Sequence, residues 1–332
     1  MSILNEAHFH DEAAAITRLE SIVWPDGPVC PHCDHTGETY EIKGVRSKPS
    51  KKNPKGVERH GLRTCVECRK QFTVKIGTLF ESSHIPVHKW WQAVHLLCSS
   101  KKGISSHQLH RTLQVTYKTA WFMSHRIREA MRSGSLAPMG SAGGAIEIDE
   151  TYIGIKSAAE AKRGGYSHKM AVLTLVNRQG EARSFHVDKA NTANVLPIVK
   201  ENLSNEAVAI TDESRIYDQV ADHAAHHVTV NHSRREYVSE ARDPWLQGDI
   251  HTNTVEGYFS LFKRGMRGVY QHCSEKHLHR YLAEFDFRYS NRSALGVEDV
   301  TRTEKALVGV KGRRLTYRGR SWPHASVKSL ET

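Results

Sequence analysis

Two CxxC pairs, Cys30-Pro31-His32-Cys33 and Cys65-Val66-Glu67-Cys68, stand in a stretch from Cys30 to about Phe80 that has few apolar residues. Such a segment cannot build a sufficient hydrophobic core, so the event that folds it is expected to be the closing of four thiolates around a tetrahedral Zn²⁺. The interval between the pairs exceeds the common ~15–20 residues. Residues 43–63, rich in Lys, Arg, Gly and Pro, account for the excess as a loop. A redox role for CxxC would call for a βαβ setting that this segment lacks. Cys98 and Cys273 stand alone and read as buried free thiols.

The 332 residues carry 47 Lys+Arg against 36 Asp+Glu, a formal charge of +11, together with 22 His. That balance favours a polyanionic partner such as nucleic acid. Nothing approaches the ~18–20 apolar residues of a membrane span, and an N-terminus bearing Glu6, Asp11 and Glu12 lacks a signal-peptide pattern. The expectation is a cytoplasmic, nucleoid-associated protein with no membrane partner.

Hydrophobic periodicity divides the chain. Ala14, Ile16, Leu19 and Ile22 predict an amphipathic N-terminal helix within residues 1–28, before the turn Pro25-Asp26-Gly27-Pro28. Residues 29–82 hold the cysteines and the basic insert. Residues 83–133 read as about three short helices. Of these, Ser105–Leu113, the break at Gln114-Val115 and Thr116–Arg132 have a helix-turn-helix layout, with Ser105 and Thr116 as N-caps. In the longer helix Ala120, Met123, Ile127 and Ala130 face inward. This leaves Lys118, His125, Arg126 and Arg132 to meet DNA, as Lys51, Lys52 and Lys55 of the insert could. Residues 134–144, rich in Ser, Gly, Ala and Pro, read as a flexible linker. Residues 145–294 alternate strands and helices, and 295–332 read as a basic tail containing Arg314, Arg318 and Arg320.

Two strands in the third region end in acids. Ala145–Glu150 (AIEIDE) alternates, burying Ile146 and Ile148 while Glu147 and Asp149 face the other way. Ala207–Thr211 is apolar and runs into Asp212; Asp218 and Asp222 compete for that role but fall in a weak helix. A third acid, Glu256, lies on a helix over about Thr252–Met266. There Val255, Phe259, Phe262 and Met266 form an inward stripe, and Glu256, Ser260, Lys263 and Arg267 form a polar flank. Three hard carboxylates can hold two divalent cations ~3.5–4 Å apart, the arrangement that activates an oxygen nucleophile and stabilises a leaving 3′ oxygen in phosphodiester chemistry. Glu147 and Glu150 flank Asp149 and could tune it or share metal.

The motifs CPHC, CVECRKQFTVKIGTLFESSHIPVHKWW, IEIDETYIG and HTNTVEGYFSLFKRGMRGVYQHCSEKHLHRYLAEFDFRYSNR resemble the insertion-sequence transposases of the IS1595 type, also described as ISXO2-like, over nearly the whole chain. The resemblance implies an α/β fold: an RNase H-like catalytic core, a mixed sheet with flanking helices, preceded by a zinc ribbon and a helix-turn-helix-like segment. It implies a DDE triad of Asp149, Asp212 and Glu256 binding Mg²⁺ or Mn²⁺, with Asn253 and Lys263 in support. It also implies structural Zn²⁺ on Cys30, Cys33, Cys65 and Cys68. Some members carry Asn at the third acidic position, whereas this chain has Glu256. The implied partners are the element's terminal inverted repeats and target DNA, met by a homodimer or larger assembly, with Lys263, Arg264 and Arg267 near the DNA. Other functions compatible with these motifs are a DNA-binding regulator or domesticated relative without catalysis, and an RNase H-like nuclease.

Overall fold

The computed structural model describes residues 3–51, 53–134, 136–141, 143–156, 166–231 and 249–315. Lys52, Arg318 and Arg320 lie outside them. Each CxxC pair forms the same turn: the carbonyls of Cys30 and Cys65 accept from the N–H groups of Asp34 (2.9 Å) and Arg69 (3.1 Å). Asp34 and Arg69 both adopt φ 56°, in the left-handed region that closes the turn. The two turns bring all four sulfurs within 4.8 Å of one another. The Cys30–Cys68 and Cys33–Cys65 edges measure 3.7 Å, which fits a tetrahedron with Zn–S bonds of about 2.3 Å.

Strands β1 (Thr39–Ile42), β2 (Leu62–Cys65) and β3 (Gln71–Phe72) form an antiparallel sheet in that order. The basic insert is the arm joining β1 to β2, bridged once between Arg46 and Glu58. Two of its cations are already engaged. Arg46 donates to the carbonyls of Lys55 and Gly56, and Arg63 grips Glu20 through Nε and Nη2. Lys51 and Lys55 are exposed.

The cysteine segment has no core of its own. One buried cluster joins Leu19 of α1 (Glu12–Val23), Phe72 of β3, Trp90 of α2 (Val87–Ser99), Leu109 of α3 (Ser106–Leu113), Ile127 of α4 (Tyr117–Ala130) and Leu307 of α8 (Asp299–Val308). The tail expected over 295–332 is therefore corrected: part of it is a docked helix. Only a few apolar residues anchor α8, which is why periodicity missed it. Its hold is polar, with Arg302 donating to the carbonyls of Cys98, Asn291 and Val297.

Helices α3 and α4 meet at Gln114, whose φ of 51° closes the turn. Ser105 and Thr116 cap them by accepting from Gln108 N (3.1 Å) and Thr119 N (3.2 Å). The inward positions are as expected, but two outward ones are not. His125 is buried against Trp121, His277 and Tyr281; burial, with Arg128 and His277 nearby, pushes its imidazole down to about 2. Arg126 is buried over the Phe122 ring and donates to the carbonyls of Glu81 and Leu315. Neither is available to DNA. A 3.6-residue period cannot reveal that α4 is covered on more than one side, by α7 (Glu275–Ser290) as well as by α2 and α8. Lys118 and Arg132 are exposed, with Arg132 paired to Glu129.

The remaining strands, β4 (Ala145–Ile153), β5 (Met170–Asn177), β6 (Ala182–Val187), β7 (Val208–Asp212) and β8 (His226–Val230), make a mixed sheet in the order β6-β5-β4-β7-β8. β4, β5 and β6 are antiparallel neighbours, and β7 and β8 run parallel to β4. One face packs Ile146, Ile148, Leu173 and Leu175 against α5 (Thr192–Asn202) and the 3-10 turn Arg215–Asp222. The other packs Val172 and Val176 against α6 (Asn253–Gly265) and α7. The expected linker is fastened to this body. Met139 is buried in the α5-side cluster and pairs through its backbone with Asn202 O (2.7 Å) and Ser204 N (2.8 Å).

The two halves are joined by a buried ion cluster. Glu284 of α7 accepts from Arg128 of α4 (2.6 Å), from Arg288 (2.6 Å) and from Tyr270, and Arg128 lies over the Tyr281 ring at 4.1 Å. Gly265 lets the end of α6 reach the turn between α2 and α3, since a Cβ there would stand 2.8 Å from Lys102 O.

Because one core runs from α1 through the cysteine turns, losing the ion should unfold more than the ribbon. Chelation, or Cys65→Ala, is expected to abolish the near-ultraviolet circular dichroism contributed by Trp24 packed on Phe72, whose centroids are 5.8 Å apart. An unchanged spectrum after complete metal removal would contradict this.

Candidate active site

The parallel pairing of β4 with β7 matches Ala145 to Val208, Ile146 to Ala209 and Glu147 to Ile210. Continuing that register by two residues sets Asp149 level with Asp212 on adjacent strands. Residues two apart share a face, so both aspartates lie on the face of Glu147, toward α6. Asp218 and Asp222 sit instead at exposed positions of the 3-10 turn beyond β7. Asp212 Oδ1 accepts from Ser214 N at 3.0 Å, which orients its carboxylate at the strand end.

Glu256 arrives from α6, whose stripe Val255, Phe259, Phe262 and Met266 is buried as expected while Glu256 and Ser260 remain exposed. What fixes that helix over the sheet is Glu147. Its fully buried carboxylate accepts from Thr254 N (2.8 Å), Thr254 Oγ1 (2.8 Å) and Val255 N (3.0 Å), the N–H groups immediately before Glu256. Arg178 (3.0 Å) and His251 (3.2 Å) complete its shell. The expectation that Glu147 could share a metal is therefore corrected: its oxygens are occupied as the cap of a helix N-terminus, where a negative charge is stabilised. Glu150 points to the opposite face and accepts from Tyr217 OH.

A second buried network holds the same helix. Asp286 of α7 accepts from Tyr258 OH (2.5 Å) of α6, Ser184 Oγ (2.7 Å) and Ser184 N (2.8 Å), and Thr174 Oγ1 donates to Ser184 Oγ (3.0 Å). Thr174 is the cross-strand partner of Asp149. Burial pushes the Asp286 carboxyl up to about 7 despite those donors. Neither Tyr258 nor Asp286 was singled out in the sequence, since each lies in an ordinary helical pattern and only the fold brings them together.

Burial pushes Asp149 up to about 8, and the charges of Glu150, Asp212 and Glu256 push the same way. Among the described residues, the group of ligand atoms that closes to 4.8 Å is the cysteine set, so the carboxylates stand further apart than the sulfurs. Lys263, two turns along α6, is lowered by burial and by Arg267, and feels Asp149 and Lys169. Lys169 is close enough to Lys263 to weigh on its ammonium, and no sequence motif pointed to it. Asn253 is the exposed first residue of α6, Arg264 is exposed near its end, and Arg267 is exposed in the π-helical turn Met266–Tyr270 that follows.

Residues 141–290 match the family model described as the ISXO2-like transposase domain, and residues 10–71 match the transposase zinc-ribbon domain. The chain thus carries two domains that match those of IS1595-type, ISXO2-like insertion-sequence transposases. It is 28% identical over 304 residues, 84% of this chain and 91% of the relative, to the "Uncharacterized protein in transposable element ISH50" of Halobacterium salinarum. No helix among the described residues is long and apolar enough to cross a membrane.

Removing the Glu147 carboxylate leaves buried N–H groups and a part-buried Arg178 without their acceptor. Glu147→Ala is expected to cost about 3–5 kcal/mol in urea unfolding, with Glu147→Gln losing less because its carbonyl can still accept one N–H. Equal stability of wild type and Glu147→Ala would refute the clamp.

Proposed function

We propose that the chain is a DNA transposase of an insertion sequence, which binds the terminal inverted repeats of its element and carries out metal-dependent strand cleavage and strand transfer. What supports this reading is the parallel register that levels Asp149 with Asp212 when continued along β4 and β7, together with the capping of the α6 N-terminus by Glu147 immediately before Glu256. The sheet order β6-β5-β4-β7-β8, with α5 crossing over before β7, supports an RNase H-like core.

The donor set fits Mg²⁺ or Mn²⁺. Three hard carboxylates share one side of the sheet, and a proton load near neutral pH on Asp149 is what an ion between them would relieve. When bound, such ions supply an activated water or 3′ hydroxyl and neutralise charge on the leaving 3′ oxygen. Asp149, Asp212 and Glu256 would hold them. Lys263 places an ammonium beside the phosphate, and Asn253 lies one turn before Glu256 on the same flank. Zn²⁺ on the four cysteines is structural.

The DNA path follows exposed cations: Lys51 and Lys55 of the arm, Lys118 at the open N-terminus of α4, Arg132, and Arg264 and Arg267 of the catalytic helix region. Two element ends must be processed together, so a dimer or larger assembly acts on DNA. With element-end duplex and Mg²⁺ or Mn²⁺, wild type is expected to cleave and join. Asp149→Ala and Glu256→Ala should each lose more than the ~100-fold typical of a supporting contact around a metal site. Specific DNA binding without any metal-dependent strand breakage by wild type would overturn the reading in favour of a non-catalytic regulator.

A further inference from the structure

The contact between α4 and α7 ties the N-terminal half to the half that bears the acids, and it encloses one polar group with no polar partner. His125 of α4 is fully buried, and neither Nδ1 nor Nε2 meets a hydrogen-bond partner among the described residues. Its ring is packed against Trp121 (centroids 4.1 Å apart), His277 (5.0 Å) and Tyr281 (5.6 Å), so what it touches is aromatic. A neutral imidazole offers one N–H donor and one acceptor, and leaving both unmade costs stability. A phenyl ring would fill the same space without that cost.

The charges that weigh most on this ring are those of cationic groups: Arg128 on its own helix, and His277, Arg280 and His279 of α7. The acids beside them are already taken. Glu284 holds Arg128 and Arg288, and Glu129 holds Arg280 and Arg132, with His279 3.9 Å away. His277 accepts at Nδ1 from Arg280 Nη1 (3.0 Å), a bond that requires this nitrogen to be unprotonated. Burial holds the Tyr270 and Tyr281 hydroxyls and the Cys273 thiol neutral by pushing all three up. On α2 and α8, which also pack on α4, His88 pairs with Glu12, His95 bonds Thr303, and Arg302 bonds Asp299. A proton on His125 would therefore stand out of water, beside Arg128, with no acceptor to meet it.

We propose that His125 makes the α4–α7 joint acid-sensitive: its imidazole can take up a proton only when the two helices part, so acidification uncouples the N-terminal half from the half that bears Asp149, Asp212 and Glu256. Parted, the histidine has the ordinary pKa of about 6.5; closed, burial and then Arg128 hold it far below that. Closure contributed by this residue is fully present above about pH 6.5 and weakens by about tenfold for each pH unit below it. The device does not depend on what the chain does to DNA.

Hydrogen–deuterium exchange of the full-length, zinc-loaded protein from about pH 7.5 to about pH 5.5, corrected for the intrinsic pH dependence of amide exchange, reads the opening of α4 and α7. In wild type the opening constant of these two helices is expected to rise as the pH falls below about 6.5, while amides of β4 and β5 show no such rise. His125→Phe, which keeps an aromatic ring in place, should stay closed at neutral pH and show an acid response shallower by about one proton, or about tenfold per pH unit. Nitrogen NMR of the histidine side chains gives a second reading on wild type alone: the His125 ring should remain neutral below about pH 6 for as long as α4 and α7 are closed. An equal acid response in wild type and His125→Phe, or a His125 that titrates near its ordinary pKa in the closed protein, would overturn the proposal.

Discussion

A carboxylate removed from water is costly unless every lone pair finds a donor, and a helix N-terminus is costly unless its N–H groups find acceptors. Glu147 meets both requirements in one contact. It lies on the strand that carries Asp149 and caps the helix that carries Glu256, through the N–H groups of Thr254 and Val255. The position of the third acid relative to the first is thereby set by a buried ion-and-cap cluster, not by the loops between them. The Tyr258–Asp286–Ser184 network performs a parallel task one helical turn further along, linking α6 and α7 to β6. With the apolar stripe filling the space between, the helix has little freedom to rotate Glu256 away from the sheet.

The same logic of polar locks extends to the N-terminal half. Glu284, Arg128 and Arg288 form a buried cluster whose partial removal would leave an unpaired charge, so the α4–α7 junction has one favoured arrangement. Arg302 does the same for α8 and α2. The cysteine turns share the core of α1 and α2 instead of standing as an independent bead. Elements proposed to contact DNA are therefore firmly connected to those that bear the acids, as the transposase reading requires.

Much of this was legible in the sequence because it depends on local periodicity. The alternation in AIEIDE placed Glu147 and Asp149 on one face, and the offsets of Val255, Phe259, Phe262 and Met266 gave the buried side of α6. Ser105 and Thr116 were readable as caps from residue type alone. What escaped were relations between distant segments. His125 and Arg126 look outward on a helical wheel drawn around one inner stripe, but α4 is covered on several sides. Glu147 looks like a spare metal ligand until the helix N-terminus that it caps is brought over it. The helix α8 was missed because Arg302 hydrogen bonds share the anchoring with only a few apolar residues such as Ala306 and Leu307.

The central claim is that the sheet and the capped helix bring Asp149, Asp212 and Glu256 together to share divalent cation. Electron paramagnetic resonance of free Mn²⁺, titrated with zinc-loaded protein, reads this without needing the element's DNA sequence. Depletion of the free-ion signal by wild type, and its loss in each of Asp149→Asn, Asp212→Asn and Glu256→Gln when these fold normally, is the predicted result. Undiminished Mn²⁺ uptake by all three variants would contradict it.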